Sequence, residues 1–222
     1  MNFNSNFRIG LEYELNKNNV LSVQTKKIYD NVDNSSDNRN NISDDNGTIS
    51  QLHTVTNGKY LMNNTGYTIR HKYHNDSSLH SLNTSFDFTQ FSSDDVGFIL
   101  EDIVGSSTTQ NDKQSTGLND ILLFTAKIDH TKKFKKDWSV SSGVKHYTTT
   151  NNSSALFEEL DGGIWQSDSS LSSGYAFEEH VSALYTQLTF DKEKLDGRLG
   201  IRTERTQTRG TSAIANGTVI DT

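Results

Sequence analysis

Seven histidines, twenty-eight carboxylates and no cysteine set the chemistry open to this 222-residue chain. Without a thiol there is no disulfide framework, no cysteine nucleophile and no cysteine-based zinc site. A histidine metal site needs ligands that converge. His71 and His74 stand three residues apart and His80 follows. On a strand, positions three apart face opposite sides, so the spacing argues against a metal and for His71 as an interfacial ring on an apolar face. Asp44-Asp45-Asn46-Gly47 resembles half a calcium loop, but further ligands would have to come from Ile42 and His53. A hairpin turn is the expectation there. Glu12 and Glu14 share one strand face, as do Arg202 and Glu204. Carboxylates this close can do hydrolytic work. The same placement describes the wall of a polar barrel lumen, where inward charges meet water and one another. No glycine-rich phosphate loop, nucleophile elbow or triad spacing occurs. The expectation is a protein with no catalytic residues, metal or cofactor, and not an enzyme.

The one dense basic cluster, Lys132, Lys133, Lys135 and Lys136, falls in a short turn flanked by Phe134 and Trp138. That suits a turn at lipid head groups beside an aromatic girdle. Nucleic acid is not an expected partner: the net charge is -7 and no aromatic platform accompanies the lysines.

The elements that carry these residues are strands. From Phe3 to Leu15 the odd positions read Phe3, Ser5, Phe7, Ile9, Leu11, Tyr13 and Leu15, and the even ones Asn4, Asn6, Arg8, Gly10, Glu12 and Glu14. Period two over this length means a strand with one apolar and one polar face. Such a strand is longer than the globular mode of about 5–6 residues and matches a tilted membrane strand of roughly 9–11. The alternation returns in 64–73, 81–88, 124–129, 138–145 and 195–204, and more weakly in 21–29 and 180–190. In the last of these both sets of positions are comparably apolar, and the faces stay open. Hydrophobic residues make up only 32% and the mean hydropathy is -0.69. Apolar side chains therefore cover a thin surface rather than fill a deep core. Aromatics at 9% and the absence of proline argue against disorder, and no run approaches the length of a membrane-spanning helix.

Short polar turns at 16–19, 74–78, 132–137 and 191–194 join the strands in pairs, while long segments rich in Asn, Asp, Ser and Gly separate the pairs at 30–63, 92–120 and 148–179. This predicts an all-β, antiparallel, up-and-down transmembrane β-barrel segment of about eight strands, with short periplasmic turns and long extracellular loops. Asn46-Gly47, Asn57-Gly58 and Asn216-Gly217 beside β-formers suit either type I′ turns or plain flexible loop. The predicted lipid face carries Phe7, Ile9, Leu11, Tyr13, Phe86, Phe88, Val140, Leu199 and Ile201. The predicted lumen face carries Arg8, Glu12, Arg70, Asp87, Lys127, Asp129, Lys145, Arg198, Arg202 and Glu204. Strand one enters a short turn and strand eight leaves one, so both chain ends fall on the long-loop side. Residues 1–222 are thus expected to be one partial outer-membrane barrel, a slice of a larger one, without plug domain or signal peptide.

Three stretches resemble the outer-membrane β-barrel family allied to TonB-dependent receptors. They are Asp129 to Phe134 with Gly143-Val144-Lys145, Phe157 to Trp165, and Phe177 to Tyr185 followed by Leu199 to Thr206. The last is similar to that family's rhythm of Tyr-x-Glu-x-Ile-x-Ala-x-Tyr followed by Gly-Leu-Arg-x-Glu-x-Thr. The resemblance implies a large barrel in the cell outer membrane, a periplasmic plug, the TonB system as energising partner through that plug, and uptake of a bulky extracellular ligand. An alternative is a non-transporting surface protein, an adhesin or structural barrel; a third is a secreted soluble β-solenoid or sandwich. Exposed aromatics on the long loops make Trp165, Tyr60 and Phe157 the candidate ligand contacts.

Overall fold

The computed structural model describes residues 2–43, 49–75, 77, 79–104, 112–135, 137–192, 195–214 and 219–221. Their regular elements are all strands: β1 (Phe3–Asn16), β2 (Asn19–Ser43), β3 (Ile49–His74), β4 (His80–Val104), β5 (Lys113–Lys135), β6 (Trp138–Asp161), β7 (Ile164–Ser167), β8 (Ser173–Lys192), β9 (Leu195–Ile214) and β10 (Val219–Asp221). They form one antiparallel sheet in the order β1-β2-β3-β4-β5-β6-β8-β9-β10, with β7 paired to the far end of β6. The eight long strands coincide with the eight periodic segments of the sequence.

Their length is the main departure from expectation. The segments 30–63, 92–120 and 148–179, expected as loops, are largely ladder: β2 pairs β3 without interruption from Asn19↔Tyr73 to Ser43↔Ile49. Strands of 23 to 26 residues extend about 80 Å at ~3.3 Å per residue, far more than a bilayer requires. The sequence hid this because beyond the apolar zone both faces are polar. In β2 the successive residues Asn34, Ser35, Ser36, Asp37 and Asn38 are all exposed, so no alternation marks the strand. Asn57-Gly58, a candidate turn, lies inside β3 opposite Ser35 and Asn34. Asn46-Gly47, Asn216-Gly217 and the Asp44–Gly47 run lie outside the described residues.

The register sorts the side chains into two faces. Leu11, Val23, Ile69, Phe86 and Ala126 stand opposite one another in a single row. Ile128, Val144 and Leu184 form another, and Val140, Leu188 and Leu199 a third. This apolar face is open: Leu11 is 77% exposed and Leu199 75%. Arg8, Arg70, Asp87, Lys127, Asp129, Lys145, Arg198, Arg202 and Glu204 project to the other face, as the alternation predicts. The register also resolves 180–190: Leu184 and Leu188 join the apolar face, while Val181, Ala183 and Tyr185 join the polar one.

Val181 and Ala183, 2% and 4% exposed, are the buried hydrophobic residues of this single-layered sheet. Only neighbours on the same face can cover them: Val181 stands between Tyr147 and Thr206, and Ala183 between Lys145 and Glu204. The strands are also tilted. The row that begins at Leu11 on β1 ends at Arg205 on β9, six residues beyond Leu199. Six residues of rise across seven strand spacings correspond to a tilt of about 30°, near the roughly 35–45° of membrane barrels. Aromatic residues border the apolar zone on both sides. Tyr67 stacks on Phe88 at 6.5 Å. Near the short turns Trp138 meets Phe190 at 4.6 Å and Lys132 Nζ lies 5.1 Å from the Phe134 ring centre. Lys136 lies outside the described residues.

In the membrane-inserted protein, Phe86→Arg should destabilise the fold by roughly 2–4 kcal/mol, the cost of a cation near the midplane on a lipid face. Ser85→Arg, one residue away on the polar face, should cost much less. Urea unfolding of both variants in vesicles checks the contrast, and equal losses would overturn the assignment of faces.

Candidate functional site: a pinned polar wall

The densest set of side-chain interactions lies on the polar face of β5, β6, β8 and β9. Asp129, Gly143, Tyr185 and Arg202 occupy one register row. Tyr185 reaches from β8 across β6, and its hydroxyl donates to Asp129 Oδ1 on β5. Lys127, two residues along β5, closes on Asp129 Oδ2 at 2.7 Å. On the other flank the Arg202 guanidinium lies over the Tyr185 ring, 5.7 Å from its centre. Its Nε and Nη2 both donate to Glu204 Oε2, at 3.0 and 2.5 Å. Four residues along β6 from Gly143, the Tyr147 hydroxyl donates to Glu179 Oε1 at 3.1 Å, with Lys145 Nζ 5.2 Å from the Tyr147 ring centre. Farther along, Thr68 donates to Asp87 at 2.7 Å.

Gly143 makes the arrangement possible. A Cβ built there would lie 2.5 Å from the Tyr185 hydroxyl oxygen, 2.6 Å from its Cζ and 2.7 Å from Asp129 Oδ1. The tyrosine lies over the strand because that strand presents bare backbone at this point. Glycine inside a strand marks such a close approach. Sequence reasoning named Lys127, Asp129, Arg202 and Glu204 as lumenal but missed Gly143, Tyr185, Tyr147 and Glu179 as their partners. The available signal was a glycine at a polar-face position of a strand whose neighbours carry aromatic side chains. The acidic pair Glu12 and Glu14 stands on the same face at the sheet's edge, where Ser22 donates to Glu12 at 3.1 Å.

The histidines fall on the apolar face or at strand ends. His71 Nε2 lies 3.0 Å from Asn19 Oδ1, and His80 stacks on His130 at 5.8 Å. His74 ends β3. Among the described residues no group of three His, Asp or Glu is placed to hold a metal ion.

The three candidate ligand contacts are not brought together. Tyr60 lies on β3 and faces the polar side, opposite Val32 and Asp95. Phe157 lies on β6, on the same face, opposite Ser115. Three strand spacings, about 14 Å, separate them. Trp165 stands on β7 opposite Leu160, on the other face. Its hairpin turns at Gly162 and Gly163, whose φ angles of 57° and 83° suit the type I′ turn that a Gly-Gly pair favours. That dipeptide was a legible turn signal inside a segment expected as loop. After β7 the chain folds over Asp168, whose carboxylate accepts from the Ser170 hydroxyl and amide. Those donors, the hydroxyl first, hold its pKa below the usual carboxylate value.

A tilted antiparallel sheet, with an apolar band on one face and paired charges on the other, is the wall of an outer-membrane barrel. The sequence profile of the outer membrane protein beta-barrel family matches residues 71–221, more than half of the chain, and the chain belongs to that family. No curated protein matches it by sequence. Among solved structures it is similar to the ferric citrate transporter FecA in the unliganded form, at 8% identity and a TM-score of 0.36. That similarity covers 99% of this chain and 40% of the transporter chain, so the chain spans well under half of that protein's length.

Gly143→Ala should destabilise the folded protein by about 1–3 kcal/mol, because the methyl group forces Tyr185 and Asp129 apart. Tyr185→Phe should cost about 1 kcal/mol for the lost hydrogen bond. In a Tyr185→Ala background most of the penalty of Gly143→Ala should vanish, and a double-mutant cycle by denaturant unfolding measures that coupling. Additive losses would show that the two residues act independently. Separately, Gly163→Val should loosen the β6–β7 hairpin, since a β-branched residue resists positive φ. Faster amide exchange confined to 158–167 is the expected reading.

Proposed function

We propose that the chain is a slice of a larger barrel of the TonB-dependent receptor type, through which a bulky ligand enters the cell across the outer membrane. The carrying observation is the open sheet with a charged, internally paired polar face. Among the described residues β1 and β9 do not pair with each other, and unpaired strand edges cannot persist in lipid. Further strands must complete the wall. Adding strands to these eight widens the interior beyond what side chains can fill and leaves an aqueous lumen. The apolar face then lies against lipid and the network around Tyr185 against water. A hydrated lumen of that width suits a bulky solute and has room for a plug, through which the TonB system would supply energy. The resemblance around Phe177–Tyr185 and Leu199–Thr206 supports the same reading. Tyr60 and Phe157 on the polar face, and Trp165 at the hairpin, are the proposed ligand contacts. A non-transporting surface barrel competes with this reading, because the long polar ladders beyond the apolar band offer a surface for contact.

The test uses cells that produce the full-length protein and grow on metal chelates, oligosaccharides or peptides as limiting nutrients. Growth on at least one of these should fail both when the gene is deleted and when TonB is deleted, and return on complementation. There, Trp165→Ala should lower uptake at unchanged receptor abundance. Growth independent of both deletions, with altered cell–cell adhesion, would favour the surface-protein reading.

A further inference from the structure

The apolar residues of the outward face have lipid to meet, but a second set lies on the polar face, where there is none. Phe91 on β4, Ile121 on β5 and Phe177 on β8 share one register row, with Asn151 on β6 between the last two. The next row outward brings Asn119, Ser153 and Tyr175 together. Phe177 stands eight residues along β8 from Tyr185, about 26 Å farther from the short turns. At this level the outward face carries Ser92, Asp120 and Asn152 in one row, so both faces lie beyond the apolar band. Neither lipid nor a packed interior accounts for aromatic rings at that place.

Tyr175 and Phe177 stack with ring centres 6.2 Å apart and planes 12° from parallel, and Tyr175 is 43% exposed. They form a flat, accessible aromatic surface. Phe91 stands three strand spacings away, about 14 Å. Between these rings the Oδ1 atoms of Asn119 and Asn151 are shielded from water and have no hydrogen-bond partner. A polar atom left in that state costs free energy, and a hydroxyl donor that draws the amide toward the lumen removes the cost. From β4 to β9 neither row holds a charged residue. On the bordering rows Glu179 is engaged by Tyr147, and Asp95 stands opposite Tyr60.

We propose that this patch, framed by Phe91, Tyr175 and Phe177 around Asn119 and Asn151, binds a neutral oligosaccharide. A sugar ring presents polarised C–H groups on its flat sides and hydroxyls around its edge. The electron-rich faces of aromatic rings attract the first. Carboxamides, each with two N–H donors and an acceptor oxygen, match the second. A charged chelate finds no counter-ion in these two rows. The sugar would lie inside the outer mouth of the barrel, inward of Tyr60 and Phe157. The proposal names the ligand class of the uptake reading and rests on its assignment of the polar face to the lumen.

The test uses the full-length protein folded in detergent, with binding read by isothermal calorimetry. The probes are neutral hexasaccharides cut from amylose, cellulose, xylan and mannan. A hexagalacturonate and a serine–glycine hexapeptide are the charged and peptide comparators. At least one neutral hexasaccharide should bind, with an affinity indifferent to salt because no ion pair forms. Phe177→Ala should weaken it about tenfold, as loss of a central aromatic contact does, whereas Phe177→Trp should retain it. Asn119→Ala with Asn151→Ala should also weaken it. Asn152→Ala, on the outward face of β6, should leave it unchanged. Absence of binding by every neutral probe, tighter binding of the hexagalacturonate or the peptide, or an equal loss in Asn152→Ala would overturn the proposal. The comparison among probes needs no variant and decides the matter even where a substitution prevents folding. TonB-dependent growth on metal chelates or peptides, without sugar binding, overturns this proposal alone. Sugar binding without TonB-dependent growth leaves it standing and removes the uptake reading.

Discussion

The cross-strand backbone hydrogen bond is the interaction on which this molecule depends. With two buried hydrophobic residues in the described chain, no packed interior selects the fold. Continuous antiparallel ladders satisfy the backbone of strands up to 26 residues long, and every other feature is arranged on that lattice. Ladders of this kind are also the solution a bilayer permits other than a helix, because lipid offers no partner to an unpaired amide or carbonyl. The same lattice continues into water beyond the apolar band, where hydrogen bonding persists although the hydrophobic pattern ends.

Pairing alone does not set register, since a slip by one residue preserves most of the backbone bonds while exchanging the faces. Here the two faces differ strongly enough to fix it. A slip between β3 and β4 would place Phe86 and Phe88 among Arg70, Thr68 and Lys127. The tilt follows from the same pairing. Keeping the apolar residues of neighbouring strands at one height, while the turns fix their register, forces the strands to lean.

The network about Tyr185 adds a second kind of constraint. Lys127, Asp129, Tyr185, Arg202 and Glu204 belong to three strands, yet they interact as one chain of contacts because Gly143 leaves a gap in the strand between them. Charged groups on a wet wall contribute little to stability when isolated. A tyrosine laid across a glycine ties β5, β6 and β8 together on the polar face, where the apolar pattern gives no help. The small, buried Ala183 beside it allows Lys145 and Glu204 to flank the same region.

Local patterning was enough for the class, the eight long strands and nearly all of the two faces. Period-two alternation is a local property, and in a half-apolar strand it is visible residue by residue. Phe3 to Leu15 could be assigned without any neighbour. Strand 180–190 could not, because Val181 and Ala183 are apolar on the polar face; their burial comes from the side chains beside them on β6 and β9. The extensions of β2 to β6 were invisible for the complementary reason: with both faces in water, pairing leaves no mark on composition. It takes the paired strands to show that Gly143 admits Tyr185, and that Tyr60 and Phe157 share a face while Trp165 takes the other. Each of these depends on which residues stand opposite across strands, and that register is a relation between distant segments which no single stretch of sequence contains.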